Sequence, residues 1–457
     1  MTGTAGERTR AGAVAIDDGR IVWVGDPAEV SRWQAESTRV IDYGDQAILP
    51  GFIDAHGHVS FTALSTTIAN VASPPVGPVE TIADLKRTLR EYIQTRGIEP
   101  GDWVIGMGYD DSLILENRHP DRDDLDAVSR EHPIMLVHVS GHLMATNSRA
   151  LARGGINAES IDPPGGIIRR RPGGNEPDGI LEETATYPLR AYMNAANEDP
   201  LQSVQAALEL YASHGITTAQ DGAASAEVMA LLQAAAADHK LIMDVIAYPM
   251  GMQDPASVIE NYDFGSYHNR LKTGGIKLML DGSPQGKTAY LSKPYHVPPA
   301  GKGSDYAGYP SINQLQTDTL VRAYLAEQVP IIAHANGDAA AEMLIDAVDA
   351  AAPQHDHRTV MIHAQTVRED QLTRMKTLHM IPSYFSTHTF YWGDWHRDSV
   401  LGEERGQRIS PMASTRQRGM VFTVHNDAPV VPPDMIRLLW ASTNRQTRSG
   451  RILGPEQ

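Results

Sequence analysis

Two histidines one residue apart are the clearest sign of chemistry in this sequence. His56 and His58 end the segment Leu-Pro-Gly-Phe-Ile-Asp-Ala-His-Gly-His and directly follow the apolar run 47–54. Alternate side chains of a β-strand point to the same face, so both imidazoles could bind one metal ion. Histidine nitrogens are ligands of zinc and related ions. The motif alone is a weak signal, because any surface loop can carry His-Gly-His.

Later apolar runs also carry residues that can bind a metal ion. Four of them are Lys277 in the run 275–281, His334 in 330–334, His363 in 359–363 and Asp427 in 420–427. A single histidine at a strand end is more often a hydrogen-bonded structural residue. Several on separate runs, together with a carboxylate, favour a metal site with nitrogen and oxygen ligands, suited to zinc, manganese or iron.

The elements that would position these residues form a regular series. Eight apolar runs are separated mostly by helical patterns: 47–54, 216–221, 241–249, 275–281, 330–334, 359–363, 380–385 and 420–427. Near-continuous apolar runs are typical of parallel strands covered on both faces. Eight such units predict an α/β fold with a closed (β/α)8 barrel, in which the carboxyl ends of the strands meet at one mouth. An open doubly wound sheet is the alternative that this count leaves open.

Two parts of the chain are predicted to differ in architecture. Residues 1–46 predict a small β element, a partial sandwich with a hairpin over 13–25 and a short strand over 38–42. Residues 47–457 predict the barrel that carries the candidate metal ligands. A long insertion, about 60–200, interrupts the barrel after its first strand and contains a helix at 82–95 and two strand-like runs, 103–107 and 134–139.

Composition excludes several classes of chemistry and partner. The 457 residues include no cysteine, which rules out disulfides, thiolate ligands and a cysteine nucleophile. With 39 basic and 56 acidic residues, the formal charge is −17, which disfavours nucleic acid and anionic membranes as partners. The first eight residues lack the apolar core of a secretory signal, and no window is apolar enough to span a membrane. We therefore expect a cytoplasmic protein with a small-molecule substrate.

Six motifs spread over the chain resemble those of the amidohydrolase superfamily. The resemblance is to its YtcJ-like branch, which includes N-substituted formamide deformylase. The matching segments are 49–58, 140–148 (Ser-Gly-His-Leu-Met-Ala-Thr-Asn-Ser), 275–283 (Gly-Ile-Lys-Leu-Met-Leu-Asp-Gly-Ser), 333–338, 362–365 and 425–430 (His-Asn-Asp-Ala-Pro-Val). They follow the order that the family uses.

The resemblance implies one or two divalent metal ions, most often zinc, and a set of ligands. These ligands would be His56, His58, Lys277, His334, His363 and Asp427. The first two histidines would hold the more buried ion and the last two the second ion. Lys277 would be carboxylated and bridge both ions, although pairing with Asp281 is the simpler role for this lysine. Asp427 would ligate the buried ion and take a proton from the attacking water.

The predicted reaction is hydrolysis of a C–N bond in an amide, N-formyl amine or cyclic amide. A metal-activated water would attack, with Asp427 as the proton shuttle. An ester or phosphoester hydrolase on the same site, and a catalytically silent binding protein, remain alternatives. Three further residues are candidates for substrate binding: His142, Asp281 and Tyr384.

Relatives of the family carry β segments at both ends that this sequence lacks. The resemblance therefore predicts an incomplete sandwich. An exposed sandwich edge tends to pair with another chain, and a homodimer would cover it.

Overall fold

A computed structural model describes residues 12–193, 199–299 and 301–457. The chain divides into two compact units, Met1–Phe52 and Ile53–Gln457, whereas the sequence predicts a boundary between 46 and 47. Residues 1–8, on which the prediction about a secretory signal rests, lie outside the described residues.

The first unit contains the predicted hairpin. Strands β1 (Ala13–Asp17) and β2 (Arg20–Gly25) pair antiparallel, and a short 3-10 helix follows over Pro27–Trp33. Asp18 and Gly19 both have positive φ, as a two-residue hairpin turn requires. The predicted strand 38–42 is wrong: these residues are irregular, and Thr38 closes a turn onto Ala35 instead of pairing with a described strand.

The insertion folds as a six-stranded sheet of its own. After the short strand β3 (Phe52–Ile53), the strand order is β4-β5-β6-β7-β9-β8. These strands are β4 (Ala69–Asn70), β5 (Val104–Tyr109), β6 (Ile134–His138), β7 (Leu143–Thr146), β8 (Gly166–Arg170) and β9 (Pro177–Glu183). Since the chain turns back after β6, the pairs β6–β7 and β7–β9 are antiparallel.

The rest of the second unit alternates strands and helices. Its strands are β10 (Ile216–Ala224), β11 (Asp244–Pro249), β12 (Tyr267–His268), β13 (Leu271–Thr273), β14 (Ile276–Met279), β15 (Ile331–Ala335), β16 (Val360–His363), β17 (Ile381–Tyr384) and β18 (Thr423–Val424). Two five-stranded sheets result, β12-β13-β11-β10-β3 and β14-β15-β16-β17-β18. The second sheet is parallel throughout.

Fifteen helices lie among the described residues. They are α1 (Val59–Ser65), α2 (Ile82–Arg96), α3 (Arg122–Asp126), α4 (Ser148–Arg153), α5 (Tyr187–Arg190), α6 (Pro200–Ser213), α7 (Ala226–Ala237), α8 (Pro255–Asn261), α9 (Gln314–Ala326), α10 (Asp338–Ala351), α11 (Glu369–Thr377), α12 (His388–Trp395), α13 (Glu403–Gly406), α14 (Met412–Gln417) and α15 (Met435–Asn444). None of the described helices combines the length and the apolar character needed to cross a membrane.

Side-chain alternation in β14 separates the hydrophobic core from the site. Ile276 and Leu278 are fully buried in a cluster that includes Leu344 and Val348 of α10. Lys277, between them, points to the opposite face. The register of the sheet then places His334 beside Met279 and His363 beside Ala335, so polar groups gather at the carboxyl ends of three neighbouring strands.

Backbone hydrogen bonds also connect the ends of the two sheets. Gly251, just after β11, donates its N–H to the Lys277 carbonyl (2.8 Å). At the other side, the Asp427 N–H reaches the His56 carbonyl (3.2 Å), and the His58 N–H reaches Ala428 (2.8 Å). The predicted first strand, 47–54, is reduced to β3, because Pro50 and Gly51 precede it and neither favours a strand interior.

Candidate metal centre

The segments after β3 and β18 bring two histidines and a carboxylate together. Asp427 Oδ1 lies 3.0 Å from His58 Nε2 and 3.5 Å from His56 Nε2. His56 is fully buried, and Asp427 is nearly so. Asp427 Oδ1 accepts no other hydrogen bond that the described structure provides, and its φ of 57° is unusual for a residue with a side chain.

Gln220, in the middle of β10, fixes the proton position on His56. Its Oε1 lies 2.6 Å from His56 Nδ1, while its amide donates to the Ala55 carbonyl (3.0 Å). Nδ1 must therefore carry the proton, and the lone pair of Nε2 faces the site. A Cβ on Gly222 would collide with the His56 ring, so the strand can pass this close only with glycine there.

Lys277 is buried on the site face of β14. Its Nζ lies 3.0 Å from His56 Nε2, and burial lowers the pKa of this amine to about 8, although Asp427 opposes the shift. The structure does not show the alternative pairing with Asp281. That carboxylate instead accepts the backbone N–H groups of Tyr290, Asn336 and Gly337 at 2.8–2.9 Å.

Two further predicted ligands lie side by side on β15 and β16. His334 Nδ1 is 3.1 Å from His363 Nε2, and His334 Nε2 donates to the Gly282 carbonyl (2.9 Å). The Nδ1 lone pair of His334 is therefore free for a metal ion. His425 adds a third ring, with its Nε2 3.2 Å from His363 Nδ1 and its Nδ1 2.9 Å from Ser383 Oγ.

Burial sets the charge of these groups. It lowers the pKa of His56 and of His363 well below the usual range, and that of His425 to about 3. Burial alone would raise the pKa of Asp427, but the hydrogen bond from His58 and the nearby His363 bring it well below its ordinary value. Neutral imidazoles and an ionised carboxylate are the protonation states that bind metal ions.

A small cavity opens beside these groups. Its lining residues are Ser140, His142, Ser283, Gln285, His334, Asn336, His363, Phe385, His388, Asp427 and Val430. His142 donates from Nδ1 to Glu183 Oε2 (2.7 Å), and its ring lies 4.9 Å from that of His334.

Two predicted substrate-binding residues lie outside this lining. Tyr384 is fully buried in the hydrophobic core, where its hydroxyl bonds Thr415 Oγ1 (2.6 Å). The prediction for Tyr384 is wrong, because alternation along β17 turns Ser383 toward the site and Tyr384 away from it. Asp281 is likewise fully buried and holds backbone N–H groups, so it supports the loop after β14.

The donor set fits a divalent metal ion. His56, His58 and Asp427 each offer a ligand atom within 4.8 Å of the others, and the Asp427 oxygen otherwise lacks a partner. A second such group exists at Asp110, Asp111 and His138. In that group, however, Trp392 already donates to Asp110 (2.7 Å), and His138 already bonds Asp111 (3.0 Å).

The model of the Amidohydrolase family matches residues 39–457, nearly the whole chain. The chain belongs to the amidohydrolase family. N-substituted formamide deformylase of Arthrobacter pascens is 27% identical to it over 98% of this chain and 82% of that protein. YtcJ of Bacillus subtilis (strain 168) is 24% identical over 94% of this chain and 79% of that protein. These matches confirm the predicted resemblance to the YtcJ-like branch.

Solved structures place this amidohydrolase in the same fold as known hydrolases. An uncharacterized metal-dependent hydrolase from Pyrococcus horikoshii OT3 superposes with a TM-score of 0.69 and 21% identity, over 96% of this chain and 83% of that one. This likeness concerns the fold. Family membership makes the chain a hydrolase of C–N bonds, and together with the His/Asp cluster it supports the use of a divalent metal ion.

Several residues of this amidohydrolase site were not predicted from the sequence. Gln220 ends a strand run, so the same end-of-strand rule that found His334 could have found it. His425 stands in the last run beside Asp427 and could also have been proposed. Glu183 follows Glu182 in an ordinary acidic pair, and nothing in the sequence distinguishes it.

Proposed function

We propose that this amidohydrolase cleaves an amide, N-formyl amine or cyclic amide bond of a small molecule, with a water activated by zinc, manganese or iron. The observation that carries the proposal is the cluster of His56, His58 and Asp427, whose ligand atoms converge in a buried site. A buried carboxylate oxygen whose neighbours are two imidazoles is costly in a protein interior unless a cation or a proton occupies the position.

A closed (β/α)8 barrel is the architecture that we infer for the second unit. Its eight strands would be β3, β10, β11 and β14–β18, which lie beside their neighbours in chain order within each sheet. A doubly wound sheet would reverse that order at a switch point. The bonds between the segments after β11 and β14, and after β3 and β18, support closure on both sides.

All six predicted ligands are retained in this proposal. His56, His58 and Asp427 would hold one ion, and His334 and His363 the other, with Lys277 between them as a carbamate. The lowered pKa of Lys277 supports its carboxylation, because only a neutral amine adds carbon dioxide. His334 Nδ1 and His363 Nε2 lie 3.1 Å apart, close enough for both nitrogens to be ligands of one ion.

A divalent ion in this cluster would lower the pKa of a bound water from about 15.7 to around 7 and polarise the substrate carbonyl. Asp427 is the proton shuttle of the reaction. Its carboxylate is ionised, accepts a proton from the attacking water and returns it to the leaving nitrogen, which must be protonated to depart. Gln220 keeps the His56 lone pair directed at the site throughout. The surrounding burial excludes competing water.

Replacement of Asp427 by asparagine tests this function. Asp427→Asn keeps the shape but removes the proton acceptor, so we expect kcat for amides to fall by about 10²- to 10⁴-fold. The assay uses zinc-loaded protein with N-formyl amines, acyl amines and hydantoins, and the metal content of each sample is measured. Asn426→Asp/Asp427→Asn, which moves the carboxylate by one residue, is a control for net charge and should be equally inactive.

Failure of wild-type protein to bind about one metal ion per chain, or turnover of nitrophenyl phosphates above that of every amide, would contradict the proposal. Cytoplasmic location and a homodimer stay predictions.

A further inference from the structure

His142 and Glu183 form a buried pair at the edge of the metal cavity. Both residues are buried, and His142 Nδ1 lies 2.7 Å from Glu183 Oε2. The backbone joins them as well, since the Glu183 N–H donates to the His142 carbonyl (2.8 Å). The pair therefore connects the loop before β7 to the end of β9, two strands of the inserted sheet.

The backbone of Glu183 is held in an unfavourable conformation. Its φ is +50° and its ψ is −120°, outside the regions that residues with a Cβ prefer. His363 and Asp427, at 73° and 57°, share this positive φ. Strained backbone of this kind gathers at functional sites, where the surrounding structure enforces it. A Cβ on Gly282 would collide with Glu183 Oε1, so the loop after β14 leaves room for this carboxylate.

The charge of Glu183 suits an interaction with an imidazole. Burial would raise the pKa of this carboxyl, but the His142 ring and its hydrogen bond bring it below its ordinary value. The carboxylate is therefore ionised. It fixes the proton of His142 on Nδ1, as carboxylates do for catalytic histidines, and leaves Nε2 as the nitrogen that a ligand can reach.

The location of the ring indicates what Nε2 contacts. His142 lines the same small cavity as Asp427, His334 and His363, and its ring lies against that of His334. A substrate that places its scissile bond beside Asp427 must therefore present another part of the same group to His142.

We propose that Glu183 is a positioning residue that holds His142 with Nε2 toward the scissile amide. This inference rests on the proposed function. With its proton held on Nδ1 by Glu183, the ring has a lone pair on Nε2, which accepts a hydrogen bond from the N–H of that amide. His142 then orients the nitrogen to which Asp427 returns the proton. No covalent bond to either residue forms.

Glu183→Gln tests the proposal, with Glu182→Gln as the matched control. Glu182 is the neighbouring buried carboxylate and bonds Arg169 (2.5 Å) and Tyr309 (2.9 Å), away from the cavity. We expect Glu183→Gln to lower kcat by about 10- to 100-fold, with KM and metal content nearly unchanged. Glu182→Gln should leave kcat within about threefold, since it lies outside the cavity, whatever it costs in stability. Equal losses of kcat in both variants would overturn the proposal.

A double variant separates positioning from a structural role. If Glu183 acts through His142, then adding Glu183→Gln to His142→Asn costs no further activity, because residues of one unit are not additive. Full additivity would contradict the proposal. Glu183→Asp, which keeps the charge on a shorter side chain, should recover part of the kcat that Glu183→Gln loses.

A readout without turnover keeps this inference distinct from the amide reaction. In the ¹⁵N NMR spectrum of the metal-loaded protein, the imidazole signals that His142→Asn removes should shift in Glu183→Gln and stay in place in Glu182→Gln. Unshifted signals overturn the positioning role even if amides are hydrolysed. Shifted signals with no amide turnover in wild-type protein would refute the proposed reaction and the contact with the amide, and leave the His142–Glu183 interaction standing.

Discussion

The carboxylation state of Lys277 bears on whether the site holds one ion or two, because a carbamate would bridge two ions. Burial lowers the pKa of its amine to about 8, so about a tenth of it is neutral at pH 7, far more than for an ordinary lysine. We propose that the neutral amine adds carbon dioxide and releases a proton, which would leave an anionic carbamate. Each rise in pH up to about 8 increases the neutral fraction.

We therefore expect metal uptake by metal-free protein to need bicarbonate and to accelerate as pH rises from about 6 to 8, then to level off. The measurement is the rate of zinc incorporation with and without bicarbonate. Lys287→Met is the control, because burial also lowers the pKa of Lys287 to about 8 but its Nζ bonds Val297 and Ser399. Zinc uptake by Lys287→Met should still need bicarbonate, whereas zinc uptake by Lys277→Met should not. Uptake indifferent to bicarbonate in wild-type protein argues against carboxylation.

Gln220 contributes to metal affinity without touching the ion. Gln220→Leu removes the acceptor that holds the His56 proton on Nδ1, so the zinc Kd should rise about 10- to 100-fold. Competition with a chelator measures this constant. The matched variant Gln365→Leu changes another buried glutamine, which bonds Ser410, and should leave zinc affinity unchanged. Equal affinities of wild type and Gln220→Leu would show that the His56 ring needs no such support.

At the scale of single residues, the sequence predicted the metal ligands but not the residues that hold those ligands in position. Histidines at strand ends are visible because they interrupt apolar runs. Glu183 depends on a contact between β9 and a loop 41 residues away in sequence, which no local pattern encodes. Tyr384 was misassigned because one position along a strand reverses the face of a side chain.

Among the elements, β14 shows how one strand serves both the core and the site. Leu278→Ala empties a fully buried position under the helices, so the free energy of unfolding should fall by about 2–5 kcal/mol. Because Lys277 lies on the other face of the strand, the metal content of Leu278→Ala should not change at temperatures below unfolding. Denaturant titration and metal analysis of the same samples measure both. Loss of metal from folded Leu278→Ala would contradict the separation of the two faces.

Apolar runs predicted the positions of the strands in the second unit more accurately than the lengths of those strands. All eight runs contain an observed strand, but 420–427 is reduced to Thr423–Val424 and 47–54 to Phe52–Ile53. These two segments continue as the loops that carry Asp427 and His56, so their last residues bind across the site instead of pairing regularly. The inserted sheet was recognised only as two strand-like runs, because its antiparallel strands are short and their pairing is not local.

For the whole molecule, the order of the motifs was more informative than composition. A charge of −17 and the absence of cysteine limit the partners and the chemistry but specify no reaction. The division into units lies at 52/53, within β3. A barrel predicts that residues as far apart in sequence as His56 and Asp427 converge. Only the structure gives the distance between them.

The most direct test of this account is the position of the metal. A crystal of zinc-loaded protein, with anomalous data on both sides of the zinc edge, locates each ion independently of any assay. We expect a peak about 2.0–2.2 Å from His56 Nε2, His58 Nε2 and an Asp427 oxygen, with a second ion beside His334 and His363. A map with no peak at Asp427, or with its only peak at Asp110, Asp111 and His138, would contradict the central claim.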